Sequence, residues 1–178
     1  RPWLDKVVEN VQTSGSNLQW NPELLDYGQG SKVWLWGTEA TGIVTAWLYD
    51  PTNEDWDTGV GIASTGGKIP IAADHTDAYE YGLLDNKIVY QVTAAGASNA
   101  YIAATTATAR GMAVAQNRLG VLGEDSTNGT ILYVYALDQT SLPVAISNTV
   151  TISAAKSSPD TTLRQRMVGT PTGFRFFV

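Results

Sequence analysis

Val33-Trp34-Leu35-Trp36-Gly37, Ala78-Tyr79-Glu80-Tyr81-Gly82 and Leu119-Gly120-Val121-Leu122-Gly123 are three versions of one signal, a short strand-like run that closes on glycine. Gly37 to Gly82 is 45 residues and Gly82 to Gly123 is 41. The strand expected after each glycine begins near Ile43, Lys87 and Ile131, two steps of 44. A recurrence at this step marks a repeat architecture, in which each supersecondary unit buries its faces against its neighbours.

Working outward, each unit reads as four short strands. The first strands are Leu24-Leu25, Ile69-Pro70-Ile71 and Met112-Ala113-Val114, and the second are the glycine-terminated runs. The third are Ile43 to Tyr49, Lys87 to Thr93 and Ile131 to Leu137; the fourth are Val60 to Ala63, Tyr101 to Thr105 and Val150 to Ser153. Pro70 has no N–H to give a ladder, so it belongs at a strand edge or end. Between second and third strands stand Thr41-Gly42, Asp85-Asn86 and Asn128-Gly129. Asn-Gly predicts a tight hairpin because both residues accept positive φ. Asn128-Gly129-Thr130 is also a glycosylation sequon, but the tight hairpin is the better explanation of it.

A fourth unit opens with Met167-Val168 and then Gly173 to Val178, and the chain stops there. An aromatic strand without a neighbour is an aggregation hazard, so its missing strands are expected from residues outside this sequence or from another chain. At the other end, Trp3, Leu4, Val7, Val8 and Val11 fall at helical spacing after Pro2, predicting a short helix that covers a sheet end or is offered to another subunit. The chain opens on Arg1 with no signal-peptide pattern after it, which reads as a processing site or the edge of a fragment.

With 43% hydrophobic and 10% aromatic residues over 178 positions, the chain can bury a substantial core. Charged residues are only 16%, below the usual share of about 25%. Eleven Lys and Arg against seventeen Asp and Glu leave a net charge of −6. Arg164, Arg166 and Arg175 are the nearest approach to a basic cluster and are too sparse for a phosphate-binding stripe, which excludes nucleic acid. No apolar run reaches the about 20 residues of a membrane-spanning helix. Cysteine is absent, so disulfides and thiolate metal sites are excluded. That absence suits a cytosolic, a bacterial exported or a virion protein.

Four-stranded units of about 44 residues are what β-propeller blades look like. Trp47-Leu48-Tyr49-Asp50-Pro51-Thr52-Asn53-Glu54-Asp55-Trp56 resembles the kelch-type blade, where a Tyr-Asp-Pro turn precedes a Trp. In the third unit Tyr135 and Asp138 remain without the Pro and Trp, and the paired glycines usual in kelch blades are single here at Gly37, Gly82 and Gly123. The pattern is that of degenerate kelch-like blades. Asn117-Arg118-Leu119-Gly120-Val121-Leu122 resembles a strand of the propeller-bearing tail nozzle proteins of short-tailed bacteriophages. The Cys-free, Lys-poor, Ala/Thr/Asn-rich composition is compatible with such a virion protein, and favours a virion or extracellular setting over the cytoplasm.

Few side chains suggest chemistry. The tryptophans Trp3, Trp20, Trp34, Trp36, Trp47 and Trp56 all precede residue 57. Trp34 with Trp36, and Trp47 with Tyr49, each share a strand face. They are either a stacking platform for sugars or packing between blades, with Trp20 and Trp56 the better candidates for exposure. Asp50, Asn53, Glu54, Asp55 and Asp57 form an acidic turn without the EF-hand spacing or its glycine. His75, between Asp74 and Asp77, is the sole histidine. That rules out a copper oxidase site, which would need several. Glycoside hydrolysis needs two carboxylates about 5–10 Å apart, and no motif singles out a pair. A Gly-rich phosphate loop and a Gly-x-Ser-x-Gly elbow are also missing.

The sequence therefore predicts an all-β chain, a partial β-propeller of about three and a half four-stranded antiparallel blades with a short N-terminal helix. Residues 1–20 read as helix and linker and 21–178 as blades: about 21–66, 67–109, 110–156 and, from about 165–178, the start of a fourth. The expected function is a non-catalytic interaction or structural module of a larger protein or assembly, such as a virion or tail component, with protein partners and no cofactor or metal. The alternative is a glycan-binding or glycan-cleaving propeller of an exported or phage adhesion protein. A third possibility, a β-sandwich with accidental periodicity, requires strands pairing across the repeats.

Overall fold

A computed structural model describes residues 18–19, 25–27, 33–39, 43–50, 52–53, 55–56, 59–62, 70–85, 87–93, 98–102, 107–138, 143–154 and 167–176. The N-terminal helix expected over Pro2 to Val11 lies outside them. Every regular element among the described residues is a β-strand. The first sheet holds β1 (Leu18–Gln19), β2 (Leu25–Tyr27), β3 (Val33–Glu39), β4 (Val44–Asp50), β5 (Asp55–Trp56) and β6 (Val60–Gly61). The second is β7 (Pro70–His75), β8 (Glu80–Leu84), β9 (Val89–Val92) and β10 (Ser98–Ala100), in sequential order. The third is β11 (Thr108–Ala115), β12 (Arg118–Asp125), β13 (Gly129–Ala136) and β14 (Asn148–Ser153), again sequential. β15 (Met167–Thr170) and β16 (Gly173–Phe176) form a separate antiparallel hairpin.

The ladders run within the repeats. Ile102 and Val144 form an isolated parallel bridge between repeats, outside the named strands. Because the ladders of the named strands run within the repeats, the β-sandwich possibility is removed. Leu18–Gln19, in the stretch read as linker, adds a short strand to β3. Pro70 opens β7, a strand at the end of its sheet's order, the kind of position that tolerates a missing N–H. In the second repeat the fourth strand begins at Ser98, ahead of the expected Tyr101, whose N–H still bonds Val89 O at 2.7 Å.

By packing, the chain divides into two compact units, residues 1–82 with 91–99 and residues 83–90 with 100–178. In the first, β3 is buried from Val33 to Gly37 and β4 from Val44 to Tyr49, without alternation. An antiparallel sheet with one wet face shows alternate burial, so both faces of these strands are covered. In the second unit β12 and β13 are buried in the same continuous way.

The glycines of the repeat do not end their strands. Gly37, Gly82 and Gly123 lie inside β3, β8 and β12. A Cβ on Gly82 would overlap the six-membered ring of Trp36. At Gly120, one would strike Met167 Cε and the Phe174 ring. At these two positions the missing side chain is a seat for a large group from another sheet.

The turns divide the positive-φ work differently from expectation. Between β12 and β13 only Gly129 takes positive φ, at 75°. A Cβ there would also strike the backbone of Ser153 and Ala154. Gly129→Ala is expected to cost about 1–3 kcal/mol from the left-handed backbone alone. The overlap adds to that, and a thermal melt should show the loss. The two-residue primed turn is instead Gln116-Asn117, with φ of 48° and 58°, closing the Ala115–Arg118 pair between β11 and β12. Lys87, φ 68°, ends the β8–β9 loop and donates its N–H to Leu84 O at 3.0 Å. A lysine in that region is strained, so Lys87→Gly is expected to stabilise by about 1 kcal/mol, measurable as a raised urea midpoint.

Candidate interaction surface

The side chains singled out for chemistry are mostly occupied with structure. Trp34, Trp36 and Trp47 are buried, and Tyr49 with them. They pack the interior and offer no platform to a sugar. Trp56 is paired through its backbone to Tyr49, and Trp3 and Trp20 lie outside the described residues. In the acidic turn the Asp50 carboxylate is spent locally: Oδ1 accepts the Thr52 N–H at 2.9 Å and Oδ2 accepts Asn53 Nδ2 at 3.3 Å. That is an Asx turn. His75 ends β7 with Nδ1 3.8 Å from Asp74 Oδ1, whose oxygen also accepts the His75 N–H at 2.9 Å. Asp77 sits exposed in the following turn, where Thr76 and Tyr79 exchange hydrogen bonds. Among the described residues no three His, Asp or Glu side chains converge as a metal site.

Two buried polar contacts escaped the sequence reading. In the first unit Trp36 Nε1–H donates to Glu80 Oε1 at 2.8 Å, both side chains buried, while the indole ring rests on Gly82. One tryptophan thus joins β3 to β8 by packing and by a buried hydrogen bond. In the second unit the register slips between Ala109 and Gly111, leaving Arg110 as the extra residue of a β-bulge. Its Nε lies 3.7 Å from Glu124 Oε2, and both residues are buried. No local pattern announces either contact, although the 44-residue separation of Trp36 and Glu80 equals the repeat step. Tyr135, on β13, is also buried. Loss of solvent, reinforced by Tyr133, pushes its phenol well above the usual tyrosine range.

Accessible groups gather elsewhere. The register puts Ala113, Gly120, Leu122, Leu132, Val134 and Val150 on one face of the third sheet. The β15–β16 hairpin lies on that face. Met167 and Phe174 meet Gly120, and Gly169 sits against the Val114 carbonyl so closely that a Cβ would overlap it. Met167, Phe174 and Phe176 pack with Ala113, Leu122, Leu132 and Val134, and Ile152 adjoins them. Gln116 Nε2 donates to Pro171 O, tying the two hairpin turns together. Coverage fades toward the outer strand: Leu122 is fully buried, Ile152 is half-buried, and Val150 is 41% exposed. β14 carries no charged residue, and its residues from Asn148 to Thr151 are exposed.

No protein-family model matches the chain, and no curated protein matches it. Among solved structures it is similar to a chain in the crystal structure of the mitotic checkpoint complex, with a TM-score of 0.58 and 8% identity. That match covers 75% of this chain and 37% of the other. A second similarity, to the crystal structure of BBS1N in complex with ARL6DN, has a TM-score of 0.42 and 12% identity over 85% of this chain and 48% of that one. The chain spans well under two thirds of the length of each. The first likeness shows a propeller-like β-fold.

Proposed function

We propose that this propeller-like chain is a non-catalytic interaction module, a rigid scaffold that presents strand edges and turns to protein partners in a larger protein or assembly. One observation carries the reading: the central strands are buried on both faces, and of the exposed large apolar groups among the described residues Ile146, Val150 and Val168 lie on or beside the outer strand and the last hairpin, while Ile43 and Tyr79 lie at strand ends and turns of the first two sheets. A scaffold of this kind works by shape, with packed sheets holding the presented groups still. Propellers serve unrelated functions, so the site has to carry the reading rather than the fold name. The mitotic checkpoint complex, which contains the similar chain, is by its title an assembly, and this agrees with protein partners.

Finer features of the reading rest on sequence. The Tyr49-Asp50-Pro51 turn supports kelch-like blades, divided near 21–66, 67–109 and 110–156 with a fourth from about 165, after an N-terminal helix and linker at 1–20. Composition and the Asn117–Leu122 stretch support a virion or extracellular setting. The glycan alternative is tested by titrating the protein with an oligosaccharide panel while following tryptophan fluorescence and release of reducing ends. No shift and no release is the expected result. A saturable shift or bond cleavage would overturn the non-catalytic scaffold reading.

A further inference from the structure

We propose that Asn128-Gly129 is a site of spontaneous covalent modification, where Asn128 loses its side-chain amide through a cyclic imide and leaves aspartate or isoaspartate in the β12–β13 turn. The inference goes beyond the interaction-module reading and needs no enzyme or cofactor. Asn128 is the one asparagine of the chain that precedes a glycine. It lies with Ser126 and Thr127 in the exposed turn between β12 and β13. The adjoining rung, Asp125 to Gly129, is the last of the ladder, and ladder ends open at the least free-energy cost. Glycine has no side chain to hold its nitrogen away from the neighbouring amide carbon.

The step needs only water. The Gly129 backbone nitrogen attacks Cγ of Asn128, and the new N–Cγ bond closes the imide. The Cγ–Nδ2 bond breaks, and ammonia leaves with the proton of the peptide nitrogen. Water then opens the ring at one of its carbonyls. Attack at Cγ restores the ordinary backbone with an aspartate side chain; attack at the main-chain carbonyl of Asn128 routes the backbone through Cγ as isoaspartate. The net change is water taken up and ammonia released, with no oxidation or reduction. The fold keeps the pair reactive because it cannot give up the glycine. Gly129 takes φ of 75°, and a Cβ there would strike Ser153 O and Ala154.

Isoaspartate inserts a backbone methylene just before that tight seat. Gly129 is buried against the end of β14, and the next residue, Thr130, accepts the Ser153 hydroxyl through Oγ1 at 2.9 Å. A chain lengthened by one carbon cannot keep both the Asp125–Gly129 rung and this contact. The modification therefore loosens the end of the third sheet where Thr130 pairs with Ser153, on the exposed outer strand.

The test ages the whole folded protein in warm, mildly alkaline buffer and follows it by peptide mass spectrometry, with isoaspartate detected by an isoaspartyl methyltransferase. Asn128 is expected to lose its amide while Asn53, Asn117 and Asn148, exposed but followed by Glu54, Arg118 and Thr149, keep theirs. Both aspartate and isoaspartate should form, and Asn128→Gln should abolish the early release of ammonia. The isoaspartate form, isolated by ion exchange, should melt below Asn128→Asp, which carries the added charge on a backbone of normal length. Loss of the Asn128 amide in the urea-unfolded chain but not in the folded protein would overturn the proposal. So would earlier loss at Asn53, Asn117 or Asn148, or aspartate formed without isoaspartate. Equal melting of the isoaspartate form and Asn128→Asp would overturn the loosening of the sheet.

Discussion

Trp36→Ala is expected to lower the stability of the unit formed by residues 1–82 and 91–99 by about 3–5 kcal/mol, the usual cost of deleting a buried aromatic ring. Two losses combine. The ring fills the space over Gly82, where no side chain from β8 can replace it. Its N–H also satisfies a buried carboxyl oxygen of Glu80, and leaving a buried acceptor unsatisfied costs about 1–3 kcal/mol. Trp36→Phe keeps most of the packing and isolates the second loss. Glu80→Gln keeps an acceptor and should cost least. All six tryptophans lie at or before position 56, so tryptophan fluorescence during guanidinium unfolding reports on this unit. A Trp36→Phe midpoint equal to wild type would show that the Glu80 contact contributes nothing.

The second large effect is expected at the bulge. Glu124→Ala leaves the guanidinium of Arg110 buried without the carboxylate 3.7 Å away. Breaking one side of a buried ion pair destabilises by about 3–5 kcal/mol, whereas replacing both members by apolar residues of similar size is often neutral. The double variant Arg110→Met/Glu124→Leu should therefore recover much of what Glu124→Ala loses. Calorimetry resolves this as a transition lowered by about 2–4 °C for each kcal/mol, for a chain of this size. If the double variant is as unstable as the single one, the pair is fixing the bulge geometry that sets the Thr108–Glu124 register.

Much of the fold was legible because its signals are local. The glycine-spaced runs mark the second strand of each repeat, since β-branched and aromatic residues suit a pleated, covered surface. Pro70 belonged at a strand edge or end because it cannot donate, and it opens β7. Asn128-Gly129 marked a hairpin, and the structure assigns positive φ to Gly129 alone. The same reading missed Gln116-Asn117 as the primed turn, because glutamine there has no intrinsic liking for positive φ; the Ala115–Arg118 pairing imposes it. The buried tryptophans were readable as either packing or platform. Burial of Trp34, Trp36 and Trp47 decides for packing, and that depends on what lies over the strand.

By itself the sequence determined that this chain is built from a repeated antiparallel β-unit, and that it has no cysteine chemistry or basic stripe. These properties follow from backbone preferences and composition, which act over a few neighbouring residues. Only the tertiary structure decided that the repeat glycines sit inside their strands, with Gly82 giving way to the ring of Trp36. It alone joined Trp36 to Glu80 across 44 residues, placed Arg110 on a bulge beside Glu124, and left Val150 uncovered while Leu122 is buried. Each depends on which faces meet after the strands have formed, and side-chain alternation states that a residue has a face without stating what will cover it.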